Sequence, residues 1–293
     1  EIRKLFEGVN ERCAGLRVLH LDNANPAVMT NYENRTRDIL KTLVKYTTSG
    51  NVLALGLESS DPEVIERNNL NANPLEAEKA IEMMNEVGRE RGKNGMPKLL
   101  PGVNFLAGLK GETAETYEKN LDFLKKIIKK DLLLRRINIR QVLSHREDFS
   151  LRFESEFRKF KKSVREEIDR PLLKKMLPLG TVLRDVYMEK REGEKTFGRQ
   201  IGTYPLLVGV EYPLELDRYY DIAISDYGYR SVTGVRYPLR VSEASYDELK
   251  AVPGIGERRA ASLFRKLPKN REEFKDVIGD VDELENILKY FEF

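Results

Sequence analysis

The chain of 293 residues has one cysteine, Cys13, and two histidines, His20 and His145. A lone thiol excludes an intramolecular disulfide framework and any cluster held by several thiolates of this chain. Two separated histidines without a second cysteine argue against a zinc site. Long apolar runs are also missing: stretches such as 52–55 fall far short of a bilayer span, and no signal-peptide pattern opens the sequence. A charge excess of one sign is lacking too. Lys+Arg number 51 against 48 for Asp+Glu, so a nucleic-acid footprint has to be a local patch rather than the whole surface. What is present is 40% hydrophobic and 34% charged, enough for a packed core, and the length suits two ordinary domains or one large barrel plus an appendage, expected to be soluble and cytoplasmic. The sequence starts at Glu1 inside a helical pattern set by Ile2, Leu5, Phe6 and Val9, and so reads as a piece of a longer polypeptide.

Residues 1–150 alternate two periodicities. Apolar runs at 16–22, 51–58, 102–108 and 136–143 read as buried strands. Helical patterns fall between them at about 33–46, up to 88 behind an Asn73-Pro74 start, and 115–129. Strand–helix–strand repetition at this spacing implies parallel strands joined by right-handed crossovers, most of a β/α barrel but not a closed one. Residues 151–176 read as a charged connecting helix interrupted at Pro171, its Arg158-Lys159-Phe160-Lys161-Lys162 run being either a solvated face or a basic ridge facing RNA. Residues 177–242 hold five short glycine-punctuated strand patterns, the mark of a small β-barrel of the oligonucleotide-binding kind. Residues 243–293 return to helix around Pro253-Gly254-Ile255-Gly256.

In a parallel β/α array, ligands bind at the carboxyl ends of the strands. Those ends carry Asp22-Asn23-Ala24-Asn25, Glu58-Ser59-Ser60-Asp61, the glycine-rich 108–113 and Ser144-His145-Arg146. Glu58 leaves an apolar strand as a charged group and requires either a salt-bridge partner or a ligand. Gly108 and Gly111 allow close backbone approach, but the Gly-Lys-Ser/Thr ending of a P-loop is absent. Cys13 reads as a small buried residue, His20 as a satisfied histidine within a strand, and His145 as either structural or substrate-facing.

Two of these segments carry a resemblance. Leu55-Gly56-Leu57-Glu58-Ser59-Ser60-Asp61-Pro62, with Val64-Ile65 and Asn69-Leu70 after it, resembles the fourth-strand region of radical S-adenosylmethionine (radical SAM) enzymes. Asn104-Phe105-Leu106-Ala107-Gly108-Leu109-Lys110-Gly111-Glu112-Thr113 resembles their fifth-strand GLPGET signature, with Lys110 replacing the proline, and the order and separation match as well. The chain is most similar in appearance to archaeal radical SAM proteins with a C-terminal helix-hairpin-helix. The resemblance implies an α/β fold, a partial parallel β/α barrel lacking its first strands. It also implies S-adenosylmethionine bound on a [4Fe–4S] cluster fed by a reductant, giving a 5′-deoxyadenosyl radical. By position, Glu58 and Ser59 would lie near the ribose or methionine. Asn104, Gly108 and the Val142 backbone would line the adenine side, Glu112 would hold the loop, and Arg140 would add a variable contact. The three-cysteine cluster motif and the glycine-rich methionine turn have no counterpart here, so this chain alone is expected to be inactive.

Behind the barrel, Gly193 to Arg199 with Tyr204 and Val208 resembles the TRAM domain of RNA-modifying enzymes, which implies phosphate contacts from Lys195 and Arg199. Residues 177–242 nevertheless balance 9 basic against 9 acidic side chains. The segment 249–263 looks like a helix-hairpin-helix. Gly254 and Gly256 offer N–H groups to a phosphate there, and Arg258 and Arg259 add charge. Residues 243–293 hold 9 basic against 12 acidic residues, so the hairpin can equally serve protein packing. Two functions are open: part of a radical SAM enzyme acting on RNA, or a non-catalytic nucleic-acid-binding protein.

Overall fold

In the computed structural model, which describes residues 1–142, 151–279 and 284–293, the chain divides into two units. The first comprises Glu1–Gly92, Met96–Met176 and Gly202–Tyr204; the second comprises Lys93–Gly95, Leu177–Ile201 and Pro205–Phe293. His145 and its neighbours in 143–150 lie outside the described residues.

The first unit runs α1 (Ile2–Arg12), β1 (Asn23–Ala24), α2 (Pro26–Asn31), α3 (Glu33–Tyr46), β2 (Asn51–Glu58), α4 (Pro62–Arg67), α5 (Pro74–Gly88), β3 (Leu99–Ala107), α6 (Ala114–Lys129), β4 (Ile137–Gln141) and α7 (Glu154–Ser163). A π-helical stretch (Val164–Asp169) and α8 (Arg170–Met176) follow. The strands form one parallel sheet in the order β1-β2-β3-β4, as the strand–helix alternation requires. Start signals act locally. Asn73 accepts the Leu75 and Glu76 N–H groups, Glu76 reaches back to the Asn73 N–H, and Pro74 occupies the first turn of α5.

Three expectations need correction. The run at 16–22 is not a strand, because its backbone is satisfied by side chains instead of a ladder. Thr48 Oγ1 accepts the Leu19 N–H at 3.0 Å and Asn51 Oδ1 accepts the Leu21 N–H at 2.7 Å, leaving only Asn23–Ala24 to pair with β2. Cys13 is exposed at the end of α1, where the helix stops before any apolar partner covers it. Pro171 does not interrupt its helix. The preceding turns widen to π geometry, with the Arg170 N–H reaching the Arg165 carbonyl, and the ring enters without a clash at the carbonyl four residues back.

The second unit contains β5 (Val182–Glu192), β6 (Lys195–Gln200), β7 (Leu207–Val210), β8 (Tyr219–Tyr227) and β9 (Ser231–Arg236). They close as the small barrel expected, in the order β5-β6-β7-β9-β8, with β7 and β9 parallel and the other pairs antiparallel. Four helices follow among the described residues: α9 (Tyr246–Lys250), α10 (Gly256–Lys266), α11 (Arg271–Ile278) and α12 (Leu284–Leu288). Phe274 is fully buried and packs its ring against Phe291 and Phe293.

His20 lies in the loop before β1 and is satisfied on both nitrogens. Nε2–H donates to the Thr48 carbonyl at 3.0 Å, and Nδ1 accepts the Thr203 N–H at 3.2 Å. Burial holds its pKa below the ordinary 6.5, against the opposing pull of the Thr48 carbonyl. Protonation would also cost the Thr203 bond, because Nδ1 would turn from acceptor to donor. Stability from the neutral ring is therefore fully present above about pH 6.5 and is lost as pH falls through the lowered folded-state value. Thermal unfolding from pH 7 to pH 5 should show a smaller drop for His20→Gln than for the unsubstituted chain. Equal drops would refute this linkage.

Candidate ligand-binding site

The two faces of the parallel sheet differ in chemistry. Leu53, Leu55 and Leu57 of β2, with Val103 and Phe105 of β3 and Ile137 of β4, point to one side and are almost wholly buried in the main apolar core. Side chains of α3, α5, α6 and α7 complete that core. The alternate positions carry Ala54, Gly56, Asn104 and Asn138. Parallel register sets Gly56 beside Asn104 and Asn104 beside Asn138, and the Asn138 amide donates to Asn104 Oδ1 at 3.2 Å. A polar row, Asn104 and Asn138, thus crosses β3 and β4 beside Gly56, opposite the helix-covered face.

At the end of β2 the ladder breaks. The pairing shifts between Gly56 and Glu58, a bulge that leaves Leu57 unopposed. The Ser59 N–H turns back to the Leu57 carbonyl at 2.8 Å, closing a three-residue turn around Glu58. Glu58 is thereby held at φ 67°, a left-handed conformation that costs a non-glycine residue roughly 1–3 kcal/mol. Among the described residues Glu58 has neither an ion-pair nor a hydrogen-bond partner, so the salt-bridge alternative is not realised. Its carboxylate lines a cavity of about 320 Å³ together with Asn23, Ala24, Asn25, Asn71 and Asn104. That volume is within the range of small-molecule sites, and the lining offers several amide donors and acceptors around one carboxylate.

The segment after Glu58 is fixed from behind. Ser59 is buried, and its hydroxyl accepts the Asp61 N–H at 3.1 Å. Asp61 caps α4 and receives Thr116 Oγ1 at 2.7 Å and Lys119 Nζ at 2.9 Å. Burial pushes the Asp61 carboxyl up, but those two donors outweigh it and hold the group below the usual carboxylate range. Beyond β3, Gly108 and Gly111 take φ 93° and 85° in the turn toward α6. The Gly108 N–H donates to Glu112 Oε2 at 2.8 Å, and the Tyr117 hydroxyl donates to the same oxygen at 3.1 Å. Asn68 clamps Lys110 by its N–H and carbonyl, at 3.1 and 2.8 Å.

Of the residues expected from sequence, Glu58 and Asn104 come together in the cavity. Ser59, Gly108, Glu112, Arg140 and Val142 are not in its lining. Ser59, Gly108 and Glu112 instead brace the two loops, Val142 spends its N–H on the Ala107 carbonyl at 2.9 Å, and Arg140 is exposed on β4. Asn71 and Asn138 were not singled out. The signal for Asn138 was there, a polar residue inside an apolar strand, whereas Asn71 sits in an asparagine-rich loop with no periodicity to mark it.

In the second unit Lys195 is paired with Glu211 at 2.7 Å and Arg199 with Glu189 at 3.6 Å. Arg259 donates to the carbonyls of Gly254 at 3.0 Å and Ile278 at 3.2 Å. Gly254 and Gly256 have φ 84° and 61° and bracket the start of α10, which has no side-chain cap. Arg258 is exposed beside them.

No protein-family model matches the chain. It is 49% identical over 243 residues to an uncharacterized protein of Methanocaldococcus jannaschii, covering 80% of this chain and 45% of that protein. It is 43% identical over 263 residues to an uncharacterized protein of Archaeoglobus fulgidus, covering 86% of this chain and 49% of that protein. The chain thus spans about half the length of the curated relatives it matches.

The strained turn separates a structural role for Glu58 from a ligand role. Glu58→Gly removes the left-handed penalty and should raise thermal stability, by about 1 kcal/mol, while removing the one carboxylate that the described residues give the cavity. A loss of stability in Glu58→Gly, read by chemical denaturation, would mean that the carboxylate supports the fold.

Proposed function

We propose that this chain supplies the S-adenosylmethionine-binding part of a radical SAM enzyme that modifies a nucleic acid. The observation carrying this reading is the convergence of Glu58 and Asn104 on one cavity at the carboxyl edge of a parallel β/α sheet. These residues come from the two segments in which the resemblance to that superfamily lies. A nucleoside with an amino-acid tail fits such a lining: Glu58 accepts ribose hydroxyls, and Asn104, oriented by Asn138, offers an amide to a base edge or an ammonium-bearing tail. When bound, S-adenosylmethionine supplies a reactive sulfonium. The chain's own residues bind and orient it.

A [4Fe–4S] cluster does not fit the residues of this chain. Its one thiol is exposed at the end of α1, and the described residues contain no group of three His, Cys, Asp or Glu side chains able to hold a metal ion. No step is therefore assigned through a cluster, and radical chemistry belongs to the proposal only for a protein of the relatives' full length, about half of which this chain spans.

Isothermal titration of the chain with S-adenosylmethionine is expected to give saturable binding. Glu58→Gln should weaken it about tenfold, the effect of one lost charge-assisted hydrogen bond. Absence of saturable binding to folded protein at millimolar ligand would overturn the reading. For the whole protein, iron and sulfide reconstitution should yield cluster absorbance and, under reducing conditions, 5′-deoxyadenosine.

A second reading, a non-catalytic nucleic-acid binder, is favoured by the uncapped start of α10 between Gly254 and Arg258. The internal pairing of Lys195, Arg199 and Arg259 weakens it, since a phosphate would have to displace those partners.

A further inference from the structure

Helix α7 and the π-helical stretch after it gather four basic side chains along one flank. At 3.6 residues per turn, Phe157, Phe160, Val164 and Ile168 form the buried face. Arg158, Lys161, Lys162 and Arg165 then line one flank, and Glu156 and Glu167 fall on the other. Glu167 is neutralised by Lys125 at 2.8 Å. Among the described residues Glu154, which pairs with Arg158 at 2.5 Å, is the one acid lining the groove on that flank, and Asp169 follows one turn beyond Arg165. Lys162 and Arg165 have no carboxylate partner among the described residues.

The basic flank is also concave. Its four cations line a groove of about 600 Å³ with Gln141 and Leu151, and a cleft focuses the field of its charges more than a convex ridge does. Seven residues at about 1.5 Å per residue separate Arg158 from Arg165 by roughly 10 Å, a span for consecutive phosphates rather than a single anion. Gln141 is the last residue of β4, three positions beyond Asn138, which bonds to Asn104 in the cavity described above. At about 3.3 Å per strand residue, the groove begins roughly 10 Å along β4 from that polar row.

We infer that this groove binds the phosphodiester backbone of a single-stranded polynucleotide, with Lys162 and Arg165 as the principal phosphate contacts. The residues of this site are none of those of the small barrel or the helical hairpin, and its binding does not depend on the cofactor assignment.

Fluorescence anisotropy of the full chain with a 5′-fluorescein-labelled single-stranded RNA 12-mer, at 50 to 200 mM KCl, tests this. The double substitution Lys162→Gln and Arg165→Gln should raise Kd at least about tenfold and reduce the salt slope by about 1.4, two single-strand phosphate contacts. Lys159→Gln, an exposed lysine of the same helix outside the groove, should change Kd less than about twofold, and unchanged thermal unfolding keeps the comparison interpretable. No binding by the unsubstituted chain at 50 mM KCl would overturn the inference. Equal Kd and slope for the double variant and Lys159→Gln would also overturn it, assigning any RNA affinity to other surfaces.

Discussion

The bulge at the carboxyl end of β2 is the constraint on which the candidate site rests. Parallel pairing holds β2 and β3 in register from Asn51 to Gly56, and the break beyond Gly56 twists the chain so that Glu58 sits in a left-handed turn. Without the bulge, the period-two alternation would keep Glu58 within the regular ladder and the strand would continue past the cavity. With it, a carboxylate unpaired among the described residues stands beside three parallel strands. A strain of about 1–3 kcal/mol is a sizeable share of the stability of an ordinary domain, and sites that retain such a residue generally retain it for function.

Everything behind that turn is arranged to keep it from relaxing. Ser59 and Asp61 tie the following segment to the start of α4, and Thr116 and Lys119 tie Asp61 to α6. The glycine turn after β3 is locked by Glu112 and Asn68. Several side chains that a motif-level reading assigns to the ligand are therefore supports. A polar residue in a signature sequence can serve by contact or by bracing, and spacing alone does not separate the two. The hydrogen-bond partner does.

Charge tells a related story in the other parts of the chain. Lys195, Arg199 and Arg259, the cations most suggestive of nucleic acid in the sequence, are spent on internal acids or carbonyls. The flank of α7 with the least internal neutralisation lies instead in the connecting region, where the sequence offered a basic run without a motif. Near-neutral net charge concealed both facts, because a sum over 293 residues carries no information about pairing.

Local physics was legible in the sequence. The helix at 33–46, the capped start at Asn73-Pro74, the strand at 51–58 and the parallel order of the sheet follow from periodicity, capping residues and crossover handedness, which act over a few residues or one connection. The small closed barrel was legible for the same reason, from short strands punctuated by glycine. Other features were not: the side-chain satisfaction that keeps 16–22 out of the sheet, the widened helix that accepts Pro171, the left-handed Glu58, and the alignment of Asn138 with Asn104. Each depends on which groups meet across tens of residues, and hydrogen-bond competition between distant partners leaves no periodic trace along the chain. The sequence by itself determined the elements and their order. Only the tertiary structure decided which polar side chains were consumed in holding those elements and which were left facing a cavity, because that is settled by three-dimensional neighbours and not by position in the chain.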